Sequence, residues 1–358
     1  MQQDATQSGH ETFVWHEKGY LAYGISMFLI LSFGFVGNVL TLLVLKQREH
    51  RSRGVTPLMV NVALADISII VFGYPIAIQS TFRGELLERS TCIWVAFING
   101  TVGITSIFTL TEMVVVSYFG VKQVNTNTHR LSTHQVICLI GSAWLYGSFC
   151  MFPPLLGWSR FVVTSSKISC CPDWAGKSAA DISYNLLLVA FGFIFPLAVM
   201  IICYYKIFSI VHSAVVPGNV AVQIRQRHSE LKVARMTAMS VIAFVLSWSP
   251  YCFVSLAAVF TGNHVIESGE AEVPELLAKA SVVYNPIVYT IMNNRFRATL
   301  LRILHVRRRG TLQRDLTLAS RIHSLRIDAD CHNINKGCER QRHLLQVPPF
   351  ETAIADNR

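Results

Sequence analysis

The sequence predicts an all-α membrane protein: a seven-transmembrane helix bundle with a short amphipathic cytoplasmic helix after the seventh span. Three observations carry that reading. The 358 residues are 52% hydrophobic and 15% charged, where an average soluble domain is about 25% charged. Segments 20–45, 56–80, 92–120, 135–158, 182–212, 233–261 and 272–293 each reach the roughly 20 mostly apolar residues that a helix needs to cross a bilayer. Basic residues gather in alternate connections, so the chain has two distinct sides.

Residues 1–19 are polar and are expected to be an extracellular N-terminus; without an apolar core they make no cleavable signal peptide, which leaves targeting to the first span. The connection after that span reads "KQREHRSR" (46–53). Arg225, Arg227 and Lys232 lie between the fifth and sixth spans, and Arg295, Arg297, Arg302 and Arg307 to Arg309 follow the seventh. All fall on one side, which the positive-inside rule makes cytoplasmic. The opposite loops are acidic, "GELLER" (84–89) and "ESGEAEVPE" (267–275). A multi-pass plasma-membrane protein with its N-terminus outside follows. Its parts are a transmembrane domain over 20–294, a basic juxtamembrane helix over 295–309 and a disordered cytoplasmic tail over 310–358. The net charge of +10 reflects topology and attraction to anionic inner-leaflet lipid, with no nucleic acid as partner.

The nine cysteines do not predict a metal site. Cys138, Cys150, Cys203 and Cys252 lie singly inside spans, as small apolar residues do. Cys92, at the outer end of the third span, shares an oxidising compartment with Cys170 and Cys171 of the next outer loop. A disulfide from Cys92 is expected there, with Cys170 preferred. Cys331 and Cys338 in the tail fit lipidation and an inert role equally. "NGT" at 99–101 has the form of a glycosylation site but falls inside the third span.

Away from their ends the spans hold three ionisable residues, Asp66, Glu112 and Lys279. Such residues are costly in a bilayer and mark function, so each needs a partner. Asp66 ends "NVALAD" (61–66); Asn38 in "GFVGN" and Asn285 in "NPIVY" are within reach of it through water. That polar cluster suits either one fixed helix packing or an exchange between two. Pro286 removes a helix hydrogen bond and lets the last turns bend. Lys279 has two readings on its own residues: a salt-bridged or snorkelling lysine, or an amine in an apolar pocket that condenses with an aldehyde to a Schiff base.

The surroundings of Lys279 decide between them. "LLAKASVVYNPIVYTIMNNRFR" closely resembles the seventh helix of the opsins, the retinal-binding rhodopsin-like G-protein-coupled receptors. The resemblance covers about 20–305 and includes "GFVGNVL", "NVALAD", Cys92, Trp144, "SCCPDW" (169–174), Phe195-Pro196 with Tyr204, and "SWSPY" (247–251). It implies retinal as cofactor, attached at Lys279, with Trp248 and Tyr251 lining its pocket. It also implies a light-driven rearrangement in which Asn38, Asp66, Tyr204, Asn285, Pro286 and Tyr289 form the activation switch. A heterotrimeric G protein would be the partner, with arrestin and a receptor kinase acting on the tail; a receptor of this kind is not an enzyme. The "KISCCPDW" loop leans toward the neuropsin, peropsin and retinal-isomerase side of the family.

Two positions depart from the family. Where the Glu/Asp-Arg-Tyr triplet belongs, the chain reads Val116-Ser117-Tyr118, and Glu230 of the sixth helix is kept although that arginine is not. This leaves a photoisomerase or a non-coupling opsin as the alternative function. The usual counterion positions hold Val95 and Thr164. Glu275 lies four residues before Lys279 and Glu272 seven before, on one helical face, where an i,i+4 pair has Cβ atoms about 5–6 Å apart. Glu275 is the counterion candidate; the competing reading is a solvated acid at a helix N-terminus. Glu112 is expected to bond to a neighbouring helix as a protonated acid, or to replace the missing lock.

Overall fold

The computed structural model describes residues 3–50, 54–83, 88–122, 131–164, 169–213, 220–263 and 272–305. Within them, α1 runs Gln3–Leu45, α2 Thr56–Phe72 and α3 Tyr74–Arg83. The second expected span is therefore broken at Gly73, just before Pro75, which has no N–H to continue the helix. A side chain at Gly73 would collide with Asn99 Oδ1, so the break lies where α4, Arg89–Lys122, comes close.

Ser132 and Gln135 cap each other's backbone at the start of α5, Thr133–Met151. The sequence predicted this span to reach residue 158, but Pro153 and Pro154 turn the chain into a short 3-10 helix, Pro153–Leu156. A hairpin follows, of β1, Phe161–Val163, and β2, Cys170–Pro172, with Val163 opposite Cys170. Its Cys170 is joined to Cys92 by a disulfide, which is the preferred pairing. Phe161 and Val163 pack against the bonded pair and Ala96.

The fifth passage consists of α6, Ala179–Val189, a π-helical turn, Ala190–Ile194, and α7, Phe195–Ser213. Pro196 cannot donate within the helix, so a wider turn just ahead of it has a physical cause. The sixth is α8, Val220–Thr261, with Pro250 inside it, and the seventh is α9, Glu272–Lys279, then α10, Ser281–Met292. Five passages contain a window apolar and long enough to span a membrane. The α5 and α9–α10 passages are not among them, the latter because Ala280 interrupts it.

Helix α4 packs against α2, α5, α7 and α8 and forms the axis of the bundle. Buried amides tie the other helices together. Asn38 Nδ2 donates to the Gly34 and Val282 carbonyls, both at 2.9 Å. Val282 is four residues before Pro286, whose missing N–H would have been its helical donor; Asn38 of α1 supplies the bond instead. The expected asparagine pair at Asp66 is thus split: Asn285 Nδ2 donates to Asp66 Oδ2 at 3.3 Å, while Asn38 secures the proline bend. Asn61 accepts from Trp144 Nε1 and donates to Thr109 Oγ1, each at 2.9 Å, linking α2, α4 and α5.

Residues 294–299 turn helical again, with Thr299 hydrogen-bonded to His50 at 3.1 Å. The chain divides into compact units at 1–299 and 300–358. In the second, residues 300–305 of the expected 295–309 helix are helical. Its remainder, Arg307 to Arg309, the tail from 310 with Cys331 and Cys338, and the acidic residues 267–271 lie outside the described residues.

Candidate functional site

Lys279 is the last residue of α9 and is 6% exposed. Its Nζ lies 2.7 Å from Glu275 Oε1, one turn earlier on the same helix. It also donates to Tyr23 Oη at 2.8 Å and to Ser169 Oγ at 3.3 Å. Ser169 Oγ in turn donates to Glu275 Oε1. The rings of Tyr23 and Tyr74 flank the ammonium, with centroids 5.6 and 5.9 Å away, and Tyr74 Oη donates to the Lys279 carbonyl at 3.4 Å. Every donor of the amine therefore has an acceptor inside the protein, as a buried charge requires.

The expected pairing of Glu275 with Lys279 is present as geometry. Glu272 lies in α9, but its side chain is outside the described residues. The two positions that usually supply the carboxylate provide none: Val95 is fully buried, and Thr164 closes the hairpin by accepting from Ser169 N and donating to Ser169 O. Sequence reasoning missed Tyr23 and Ser169. Ser169 had a signal, since it adjoins the disulfide cysteine that fixes the outer loop.

From the Lys279–Glu275 pair a cavity of about 930 Å³, counting its open side, extends between α4, the π turn, α8 and β2. Ligand sites usually have mostly apolar walls and a few placed polar groups, and this lining has that character, with its polar groups gathered at the Lys279 end. Ile104, Ile107, Leu188, Val189, Phe193 and Phe244 supply the apolar wall. Trp248 and Tyr251 both line it, with their rings perpendicular at 6.1 Å. A Cβ on Gly103 would come within 3.0 Å of Trp248 Cη2, so glycine there lets the indole lie directly on α4. Trp248 Nε1 donates to Ser281 Oγ at 3.3 Å, and Trp174 Nε1 donates to Tyr251 Oη at 3.0 Å.

Cys171 also lines the cavity, and burial pushes its thiol up, away from the reactive thiolate. Asn99 Oδ1 faces the cavity region with no hydrogen-bond partner among the described residues. The wall therefore provides one buried amine, one carboxylate and aromatic faces. That donor set fits retinal, an apolar polyene ending in an aldehyde.

The opposite end of the bundle is built differently. Ser117 is 1% exposed, and its hydroxyl donates to Met113 O of its own helix at 2.8 Å. One turn further along α4, Val121 is buried with Ile207 and Ala234 under Tyr118, Tyr204, Ile210 and Leu231. Lys122 and Lys206 lie 5.9 and 5.8 Å from the centre of the Tyr118 ring. Tyr204 Oη donates to the Ala234 carbonyl at 3.3 Å, joining α7 to α8, and Glu230 lies against Gly120. Tyr289 is 1% exposed, and its hydroxyl finds no partner among the described residues. Glu112 accepts from Ser142 Oγ of α5 at 2.8 Å, the neighbouring-helix bond expected of it.

Comparison with known proteins agrees with this arrangement. The chain is 27% identical over 294 residues to the "Rhodopsin, G0-coupled" of Mizuhopecten yessoensis, covering 78% of this chain and 71% of that one. It is 27% identical to melanopsin of Mus musculus over 312 residues, covering 82% of this chain but 60% of melanopsin's length. The "Visual pigment-like receptor peropsin" of Homo sapiens is 29% identical over 282 residues, covering 77% of this chain and 83% of its own. Squid rhodopsin has a similar fold, with a TM-score of 0.73 at 24% identity over 79% of this chain and 85% of that one. The family model "7 transmembrane receptor (rhodopsin family)" matches residues 37–289. With seven helical passages, the Cys92–Cys170 bond and this match over most of its length, the chain belongs to the seven-transmembrane receptors of the rhodopsin family.

Proposed function

We propose that this receptor is a light-sensing opsin that holds retinal on Lys279. The observation that carries the reading is a buried amine paired with a carboxylate at the end of an apolar cavity. Retinal, joined to Nζ as a Schiff base, supplies the light absorption and the change of shape. The rest is work for the chain's own residues. Glu275 balances positive charge at Nζ, and the apolar wall keeps water away from it. Trp248 stands between the cavity and the Pro250 bend, so displacement of its indole is passed to the cytoplasmic half of α8. Asn38, Asp66 and Asn285 hold the bend at Pro286 and release or re-form their bonds as α10 shifts. Tyr204 and Tyr289 are the hydroxyls available to a rearranged cytoplasmic end.

In this reading the protein sits in the plasma membrane with its N-terminus outside and its 295–309 helix against the inner leaflet. Its partner is a heterotrimeric G protein, with arrestin and a receptor kinase acting on the tail beyond residue 310. A specific observation favours a second reading. Ser117 is buried and bonded within α4, so the arginine that meets the G protein in related receptors has no counterpart at this position. A photoisomerase that releases its retinal isomer would not need one.

Absorption spectra in the dark, after addition of cis-retinal to wild type, Lys279→Ala and Glu275→Gln, test the site. Wild type is expected to absorb in the visible, Lys279→Ala to form no pigment, and Glu275→Gln to move into the near ultraviolet at neutral pH. A pigment that forms on Lys279→Ala would sink the proposal. Illumination with nucleotide exchange on added G protein separates the two functions: exchange supports the receptor, and repeated release of retinal without exchange supports the isomerase.

A further inference from the structure

An ammonium has three donors, and Lys279 Nζ uses all of them: on Glu275 Oε1 at 2.7 Å, Tyr23 Oη at 2.8 Å and Ser169 Oγ at 3.3 Å. The acceptors come from three separate parts of the fold. Glu275 shares the lysine's helix, Tyr23 belongs to α1, and Ser169 directly precedes the disulfide-bonded Cys170. Tyr23 is 6% exposed and Ser169 fully buried, so neither turns readily to water.

Attachment of an aldehyde changes this count. The C=N bond forms as the aldehyde C=O breaks; the oxygen leaves as water with two of the three ammonium hydrogens, and one N–H remains. Two acceptors must lose their donor, and the geometry makes them unequal. Glu275 carries the opposite charge and is the acceptor that keeps the remaining N–H. Ser169 already donates to that same carboxylate oxygen, so its bond to Glu275 survives. Tyr23 is the acceptor left over.

We propose that the two hydroxyls divide the site in time: Tyr23 is the positioning residue of the free amine, and Ser169 is the positioning residue of Glu275 once the chromophore is attached. This rests on Lys279 as the attachment point. The other ionisable groups facing the pair are Tyr74 of α3, Cys171 of β2 and Tyr251 of α8, with Asp66 of α2 behind Tyr74. None of them accepts a hydrogen bond from Nζ, so none competes for the N–H that remains.

The test uses the full chain reconstituted with cis-retinal in the dark, as wild type, Ser169→Ala, Ser169→Thr and Tyr23→Phe. Two quantities are read: the pH at which the visible band converts to ultraviolet, and the rate at which pigment forms. Without the serine donor Glu275 presents more of its negative charge to the imine N–H and is less stable once that proton is lost to solvent. Ser169→Ala is therefore expected to raise the conversion pH by about one unit, and Ser169→Thr to restore it. Tyr23→Phe is expected to leave the conversion pH alone. It should speed pigment formation several-fold at neutral pH, because the free ammonium has lost an acceptor and is more often neutral. Labelling of Lys279 by an amine-reactive reagent in the chain without retinal should rise in step.

An unchanged conversion pH in Ser169→Ala, even with reduced pigment yield, would show a purely structural serine and overturn the proposal. So would a Tyr23→Phe pigment whose conversion pH moves as far as that of Ser169→Ala. If wild type forms no pigment at all, it is the opsin reading that fails. The labelling comparison still decides whether Tyr23 guards the free amine.

Discussion

The two ends of the bundle hold their helices together by different means. At the outer end an ammonium and a carboxylate are buried side by side, and hydroxyls from α1 and the hairpin complete their hydrogen bonds. At the opposite, inner end, Ser117 stands where related receptors carry an arginine and bonds to its own helix, one turn before an apolar cluster around Val121. A buried ion pair is sensitive to loss of either member, whereas an apolar cluster yields gradually as area is exposed. Position and charge are therefore tightly specified at the outer end. At the inner end α7 and α8 are joined by the apolar cluster, by Tyr204 Oη on the Ala234 carbonyl and by Arg227 Nη2 on the Ile210 carbonyl.

The largest effect is expected where the outer end is pinned. Replacing Cys92 or Cys170 by Ser should cost about 2–5 kcal/mol, the usual range for a native disulfide in a small domain, read as a fall in thermal unfolding temperature. Cys170 adjoins Ser169, so the variant should also lose visible pigment. If unfolding temperature drops while absorption is untouched, the hairpin is only a clamp and the contrast between the ends weakens.

How much of this contrast was legible in the sequence follows the distance over which each contact is made. Glu275 and Lys279 are one helical turn apart, so spacing alone placed them together. The cysteine pair was legible because few outer-loop cysteines were available. Tyr23 was not legible: it is 256 residues from Lys279, and a tyrosine near the start of an apolar span looks like any interfacial tyrosine. The bond from Asn38 to Val282 was not legible, because the acceptor freed by Pro286 is a backbone carbonyl and has no residue signature. The breaks at Gly73 and Ala280 and the π turn before Pro196 were also hidden, since an apolar run reads alike whether its backbone is continuous or interrupted. The cytoplasmic departure was plain as a missing arginine, but what replaced it needed the packing of three helices.

Putting the arginine back tests the inner end directly. Ser117 is 1% exposed, so Ser117→Arg forces a long cation into the apolar cluster and should cost roughly 2 kcal/mol, within the range for a buried polar mismatch. Glu230 lies near enough on α8 to be its natural acceptor, against Gly120 of α4. Combining Ser117→Arg with Glu230→Gln should therefore be worse than Ser117→Arg alone. Thermal unfolding of the three variants reads both effects. A Ser117→Arg chain as stable as wild type would mean that the inner end retains a ready-made charged lock, and the comparison above would not stand.

The smallest effect is expected at Tyr289, and it is the most informative about motion. Its hydroxyl is buried with no hydrogen-bond partner among the described residues, although the ring packs edge-on to Phe296 at 6.1 Å. A buried hydroxyl without a partner is a cost to the state that contains it. Tyr289→Phe should thus leave the dark state unchanged or stabilise it by up to about 1 kcal/mol. A group retained at such a site gains its value in another arrangement, where the hydroxyl meets a partner that this packing keeps away. The decay of the illuminated form should then be faster in Tyr289→Phe than in wild type while dark-state unfolding is not impaired. If the substitution instead lowers dark-state stability and leaves the decay alone, Tyr289 belongs to the resting bundle.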